Sequence, residues 1–472
     1  MKNSKIKSRQ FIITSLAVLA AALIAYLLLK QINKVVNNTT KINDYNLISQ
    51  SLLGFKGKKN ILVLFMNNAE MRYGGGFIGT VGYVSIDNGK ISSDPVRSVY
   101  YYDHKYEDIK YSDKDATARD EDKFLNLRNS GRNLDWPMNA KRAKDIFELE
   151  SGKKVDIVIA VTPAVLKSLL VSLGNVDLPD YKKRITPENL AEELQMEIEK
   201  GQDKTEGRDP KTILTGLGNS LIERLANKNV TELIDLSVGF RELIDRRQII
   251  FYTTSYDLAQ AFKRSGIGGS TKSFAGDYFM MAEDNISIDK SSAFIDRVLR
   301  RNILINQDGS VDISVDISRT QNRPKDLPYI DPKGGFTYLI KENKSFIKFA
   351  VPRGSKINYD QSKISIEKIN SESGYDIYRF ISELNPLVQS NYSFSYRPPY
   401  KIAMFTDKAE INGFLQLQNG GWPYKLINSV QMPPSWKLVN SNVSPVEQKD
   451  GKAIYDNIVD KDQFLSFTYE KQ

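Results

Sequence analysis

Nineteen consecutive residues without a charge, FIITSLAVLAAALIAYLLL at 11–29, constrain this chain more than anything else in it. At helical rise they extend about 28 Å, close to the hydrocarbon thickness of a bilayer. Lys2, Lys5, Lys7 and Arg9 precede the run, and the first acidic residue is Asp44. The positive-inside rule then predicts a cytoplasmic N-terminus, one crossing of the cell membrane and an extracytoplasmic bulk. Ala20, Ala21, Ala22 and Ala25 would also suit a cleaved signal peptide. The run nevertheless continues through Leu27, Leu28 and Leu29, longer than the apolar core of such a signal. The expected order is a leader at 1–10, an uncleaved signal-anchor at 11–29 and a polar, partly helical stalk at 30–58.

The anchor also explains most of the formal charge of +9. Residues 1–30 hold five cations and no acid, which leaves 61 basic against 57 acidic side chains. That balance describes a mixed, solvated surface and argues against a nucleic-acid partner. Cysteine is absent, which removes disulfides, thiol nucleophiles and thiolate metal sites. His104 is the sole histidine, sits in a charged stretch and has no G-x-S-x-G elbow for company. Ordinary zinc chemistry has no ligand set here.

Strands and helices alternate over the next part of the chain. NILVLFM (60–66) and VDIVIAV (155–161) are continuous apolar runs of the kind buried on both faces. Gly82–Ile86, the turn Asp87-Asn88-Gly89-Lys90 and Ile91 read as a hairpin. Thr162 and Pro163 open a helix closed by Gly174, and Thr186-Pro187-Glu188 opens another reaching Lys200. Residues 201–211 read as a polar linker, followed by two helices over 212–246. Gln248–Thr253 and Tyr278–Ala282 are further strand candidates. This pattern predicts a three-layer α/β domain over 59–304. From 305 to 472, short alternating strands separated by Pro- and Gly-containing turns predict a β-sandwich-like region.

Three stretches carry candidate chemistry. NNAEMRYGGGFIG (67–79) places four glycines around Arg72. Gly74, Gly76 and Gly79 satisfy G-x-G-x-x-G, but the following TVGYVSI reads as strand, and a dinucleotide site needs a helix there. The remaining choices are an anion site built from Asn68, Arg72, Gly75 and Gly76, or a glycine turn with Arg72 ion-paired to a carboxylate. LRNSGRNLDWP (127–137) brings Arg128, Arg132 and Asp135 before a helix, suited to a phosphate and a divalent cation or to local salt bridges. The acidic stretch 103–122 lacks EF-hand spacing, and its interleaved cations suit a solvated loop.

In this order the segments resemble a bacterial family known as domain of unknown function 4012, whose members join an N-terminal membrane helix to an exported region. The resemblance rests on NNAEMRYGGGFIG, LRNSGRNLDWPMNA (127–140), VDIVIAVTP (155–163), RQIIFY (247–252) and the Gly266–Gly269 turn. Asn129 and Thr162 stand where that family usually has aspartate. Met138–Leu178 also resembles the LytR-CpsA-Psr phosphotransferases, exported enzymes that move glycopolymers from polyprenyl-pyrophosphate carriers onto the cell wall. That likeness implies arginines on pyrophosphate and an aspartate holding magnesium. Arg72, Arg128, Asp103 and Asp135 are the matching residues, with Asp103 and Asp135 as the catalytic pair. Asn67-Asn68 replaces the Asp-x-Arg of those enzymes. The expected protein therefore binds a pyrophosphate-lipid or glycopolymer ligand in the cell envelope, with phosphotransferase or non-enzymatic scaffold and adhesin roles as alternatives.

Overall fold

A computed structural model describes residues 39–103, 126–207, 212–226, 230–287, 289–322, 342–404 and 406–472. The apolar run at 11–29, His104 and the acidic stretch after Asp103 lie outside the described residues. Among the described residues no helix is long and apolar enough to cross a membrane. The chain is mixed α/β and divides into two compact units. One comprises the chain up to Asn67 together with Phe77–Ser270, and the other comprises Asn68–Gly76 with Thr271–Gln472.

The first unit contains α1 (Thr39–Leu52), β1 (Lys59–Asn67), β2 (Phe77–Asp87), β3 (Lys90–Ser93), β4 (Arg97–Ser98) and α2 (Trp136–Ser151). It continues with β5 (Ile157–Val161), α3 (Ala164–Leu173), the β6–β7 hairpin (Val176–Leu178, Lys183–Ile185), α4 (Leu190–Lys200) and the short α5 (Gln202–Thr205). Helices α6 (Thr212–Ala226) and α7 (Val230–Asp245), strand β8 (Ile249–Thr253) and helix α8 (Tyr256–Ser265) complete it. The main sheet runs β3-β2-β1-β5-β8, with β4 added to β2. Only β1 and β5 are parallel neighbours; β1–β2 and β5–β8 are antiparallel.

The continuous apolar runs are explained by burial on both faces. Ile61, Val63, Ile157, Ile159 and Phe251 point into one cluster with α1, α3, α4, α6, α7 and α8. The intervening Leu62, Leu64, Val158, Ala160 and Ile250 point the other way, onto Trp136, Ala140, Ala143 and Phe147 of α2. Only one described helix covers that second face, and the loop carrying 127–135 leads directly into it.

The second unit is built from β9 (Asp277–Asn285), β10 (Ile295–Ile305), β11 (Val311–Gln321), β12 (Asn343–Pro352), β13 (Lys356–Asn358), β14 (Glu367–Glu372) and β15 (Tyr375–Leu384). There follow β16 (Gln389–Arg397), β17 (Lys408–Gln416), β18 (Tyr424–Gln431), β19 (Trp436–Ser441), β20 (Glu447–Lys449), β21 (Lys452–Val459) and β22 (Gln463–Lys471). They form two seven-stranded sheets, β14-β15-β12-β9-β17-β22-β19 and β13-β16-β11-β10-β18-β21-β20. One core serves both, because Phe279, Phe349 and Phe467 from the first meet Leu299, Ile313, Phe394 and Leu426 from the second.

Several expectations change in detail. The stalk at 30–58 is partly absorbed into the first unit: Ile48 and Leu52 of α1 are buried in its core, and Asp44 takes a bidentate ion pair from Arg264. Residues 201–211, expected as linker, contain α5. The expected boundary at 304/305 gives way to one at 270/271, since β9 and β10 are the middle strands of the two second-unit sheets. Their apolar runs resemble α/β strands because a strand in the middle of a covered sheet is also buried on both faces; all nine residues of β9 are buried. Thr162 does not cap α3 through its side chain, which donates instead to Gln248 Oε1 at 2.6 Å.

Candidate functional site

In the first unit a 3-10 turn over Val99–Tyr101 follows β4 and delivers Tyr102 and Asp103 to the face covered by α2. Tyr102 packs on Phe147 at 5.0 Å between ring centroids. The buried Asp103 carboxylate accepts Leu127 N–H at 2.5 Å, Arg128 N–H at 3.2 Å and Arg128 Nη1 at 3.1 Å. Burial, the largest influence, pushes the Asp103 carboxyl above its usual range, against the lowering effect of those three donors. A buried carboxylate is retained here because it ties the 99–103 turn to the 126–135 loop.

That loop is held by its own polar residues. Asn126 Oδ1 accepts Asn129 N–H at 3.0 Å, and Ser130 Oγ donates to Leu127 O at 2.9 Å. Asn133 and Asn139 exchange two bonds of 2.8 Å, one through Asn133 N–H and one through its carbonyl. Arg132 is buried, with Nη2 at 3.5 Å from Asn129 Oδ1. Asp135 is the N-cap residue of α2, and its side chain makes no capping bond. The guanidinium of Arg128 remains partly exposed, 5.4 Å from the ring centroid of Tyr100. Arg97 lies 4.1 Å over the ring of Tyr101. Tyr100 and Tyr101 are both at least half exposed. The sequence reading passed over Arg97, Tyr100 and Tyr101, although three successive tyrosines before Asp103 were a visible signal.

The glycine-rich loop has a different setting. Residues 68–76 join β1 to β2, yet they are packed among second-unit strands. Arg72 Nη1 donates to Asn285 O at 2.7 Å, Nη2 donates to Glu70 Oε1 at 2.6 Å, and Nε lies 3.7 Å from Asp284 Oδ1. Asn68 Nδ2 donates to Gly420 O, and Trp422 Nε1 donates to Asn68 O, each at 2.9 Å. Gln418 Nε2 donates to Arg72 O at 2.9 Å. Gly75 and Gly76 take positive φ of 124° and 135°, where side-chain-bearing residues are strained. Of the two readings left open for this loop, ion pairing of a buried Arg72 is the one observed. Arg72 thus belongs to the second unit and Arg128 to the first.

Beyond the loop, Glu283 on β9 bridges two arginines that face each other in register, Arg297 on β10 and Arg319 on β11. Burial opposes ionisation of Glu283, but the two guanidiniums prevail and lower its carboxyl to about 2. Among the described residues no three acidic or histidine side chains cluster as metal ligands. Both oxygens of Asp103, implied as a magnesium ligand, accept N–H donors from the 127–128 segment.

Residues 56–198 match the family model described as protein of unknown function, DUF4012. That segment includes Asp103, Arg128, Arg132 and Asp135, and no curated protein sequence matches the chain. Among solved structures, a proposed nutrient-binding protein from Legionella pneumophila is similar at 13% identity over 41% of this chain and 71% of its own, with TM-score 0.27. A protein from Streptococcus agalactiae is similar at 13% identity over 45% and 75%, with TM-score 0.28. TagV from B. subtilis is similar at 15% identity over 46% and 86%, with TM-score 0.24.

Proposed function

We propose that this chain is a membrane-tethered, extracytoplasmic protein whose DUF4012 domain binds a phosphate-bearing envelope ligand, either a pyrophosphate-linked lipid or an anionic glycopolymer. The tether is the apolar run at 11–29 with its four preceding cations. The observation that carries the binding role is Asp103. Its carboxylate fixes the Arg128 guanidinium at a partly exposed position near the ring of Tyr100. A guanidinium held in place loses little freedom on meeting phosphate, and its fork geometry suits two phosphate oxygens. Helices on both sheet faces support a three-layer, LytR-CpsA-Psr-like reading of this domain. The commitment of Asp103 to three N–H donors favours binding over phosphoryl transfer. The enclosed core shared by the two seven-stranded sheets supports a β-sandwich scaffold beyond it.

The test is binding of a polyprenyl pyrophosphate by the full chain in lipid nanodiscs, compared with Arg128→Ala and Arg132→Ala variants. Each substitution should weaken binding about tenfold or more, the loss expected for one charge-assisted contact. Wild-type affinity in a folded double variant would remove this reading. A reporter enzyme fused after residue 58 should be active only outside the cytoplasm; activity inside would refute the topology.

A further inference from the structure

In the first unit, the loop that ends α1 presents an aromatic ring among unpaired lysines. Gly54 takes a φ of 71°. Phe55 N–H donates to Gln50 O at 2.9 Å, and Gly54 N–H donates to Ser51 O at 3.1 Å. This is a Schellman stop, in which the residue after the glycine commonly packs an apolar side chain back on the helix. Here the positions it would meet are Gln50 and Ser49, and Phe55 is left 56% exposed.

Two backbone bonds tie this loop to the β2–β3 turn, from Asn88 N–H to Gly54 O at 3.2 Å and from Gly89 N–H to Leu53 O at 2.8 Å. A Cβ on Gly54 would lie 2.5 Å from Ile86 O, and one on Gly89 would lie 3.8 Å from the Phe55 ring. The two segments therefore form one surface. They carry Lys56, Lys58, Lys59 and Lys90 against a single acid, Asp87, whose Oδ1 accepts from Asn88 Nδ2. Among the described residues none of these lysines has a side-chain hydrogen bond or ion pair. By contrast, Lys141, Arg241, Arg246 and Arg264 are each ion-paired. The surface lies at the start of β1, whereas β4, which leads to the candidate phosphate site, joins β2 beside the other end of β1.

We infer that Phe55 and its lysines dock on an anionic lipid bilayer, the ring entering the boundary between headgroups and acyl chains and the ammonium groups meeting lipid phosphates. Anionic headgroups answer the unpaired charges. Acyl chains answer the exposed ring, which a soluble polyanion would leave in water. The inference rests on the tether of the proposed function for access to a membrane, and not on its phosphate site. About ten residues separate Leu29 from Thr39 and reach at most about 34 Å. That exceeds the roughly 20 Å length of α1, so the loop at the far end of α1 can return to the bilayer.

The test uses Phe55→Trp in the full chain, reconstituted in nanodiscs of phosphatidylcholine alone or mixed with phosphatidylglycerol, with acyl chains brominated or not. Brominated lipid should quench the indole in the anionic discs, beyond the quenching of the unsubstituted chain, and much less in the neutral discs. Raising salt from about 0.1 to about 1 M shortens screening from about 10 to about 3 Å and should lower the quenching. Lys56→Glu, Lys58→Glu and Lys90→Glu together should abolish it; these positions are exposed, and an unchanged melting temperature confirms the fold. Association with neutral discs reads the tether separately, since a chain without one would join only the anionic discs and still be quenched there. The inference is overturned by no added quenching in anionic discs, by equal quenching in both lipids, or by quenching that survives charge reversal. Binding of polyphosphate through the same lysines, without quenching, would also overturn it and assign the surface to a soluble polyanion.

Discussion

Glu283 joins two facing arginines that would otherwise repel inside a core, so its removal leaves two buried charges with no counterion. Glu283→Gln should destabilise the second unit by about 3–5 kcal/mol, the usual result of breaking a buried ion pair from one side. Urea denaturation followed by tyrosine and tryptophan fluorescence would measure it. The pH sign follows from the depressed carboxyl. Its contribution is complete above the ordinary glutamate range and is lost as pH falls from about 4.3 through about 2. Asp103 has the opposite sign. Its folded-state value is raised, so the native protein takes up a proton before the unfolded chain does. Stability at this position therefore falls as pH rises from the ordinary aspartate value through the raised one. Asp103→Asn should abolish that slope in denaturation curves taken across the carboxylate range, and should lower neutral-pH stability by about 1–3 kcal/mol. A loss of phosphate-ligand affinity in the folded variant would identify Asp103 as a positioning residue for Arg128.

The element most open to a single clean test is the loop between β1 and β2. Gly420 has φ of 62°, and a Cβ there would lie 2.3 Å from Gly75 O. Gly420→Ala adds left-handed strain of about 1–2 kcal/mol to a collision with backbone that cannot rotate away. The thermal midpoint of the second unit should drop by several degrees; an unchanged melting curve would show that the loop is not held there. Much of the element layout was legible beforehand. The β2–β3 hairpin came from Asp87-Asn88-Gly89-Lys90, and the α2 ending came from Gly152, which has φ of 72°. Strand faces followed from alternation in β11 and from unbroken apolar runs in β1 and β5. The loop partner was not legible, because the carbonyl of Asn285 that Arg72 reaches is 213 positions away. Spacing rules report neighbours within a helix turn or strand, and nothing local distinguishes an arginine awaiting a distant carboxylate from one awaiting a ligand. The run of tyrosines at 100–102 was visible, but not that Tyr102 alone would be buried, on Phe147.

For the molecule as a whole, the division at 270/271 predicts how fragments behave. Residues 271–472 expressed alone lack Arg72, Tyr73 and the other loop residues that satisfy Asp284, Asn285 and Gln418. Such a fragment should show weak near-ultraviolet circular dichroism and a broad unfolding transition, and a synthetic peptide spanning 67–77 should sharpen both. If the fragment alone unfolds as sharply as the full chain, the loop is dispensable. Bonds such as the one from Gln418 to Arg72 span 346 positions, and contacts of that separation slow folding.

The route of residues 68–76 also alters what cutting the chain would do. The backbone passes between the two units three times, at 67/68, 76/77 and 270/271. A protease that severed only the last crossing would yield two polypeptides on a denaturing gel and one particle in solution. The piece ending near 270 would still have its nine-residue loop enclosed in the other. A single nick therefore releases neither unit from the other, and freeing the second unit would require its unfolding as well as its cleavage.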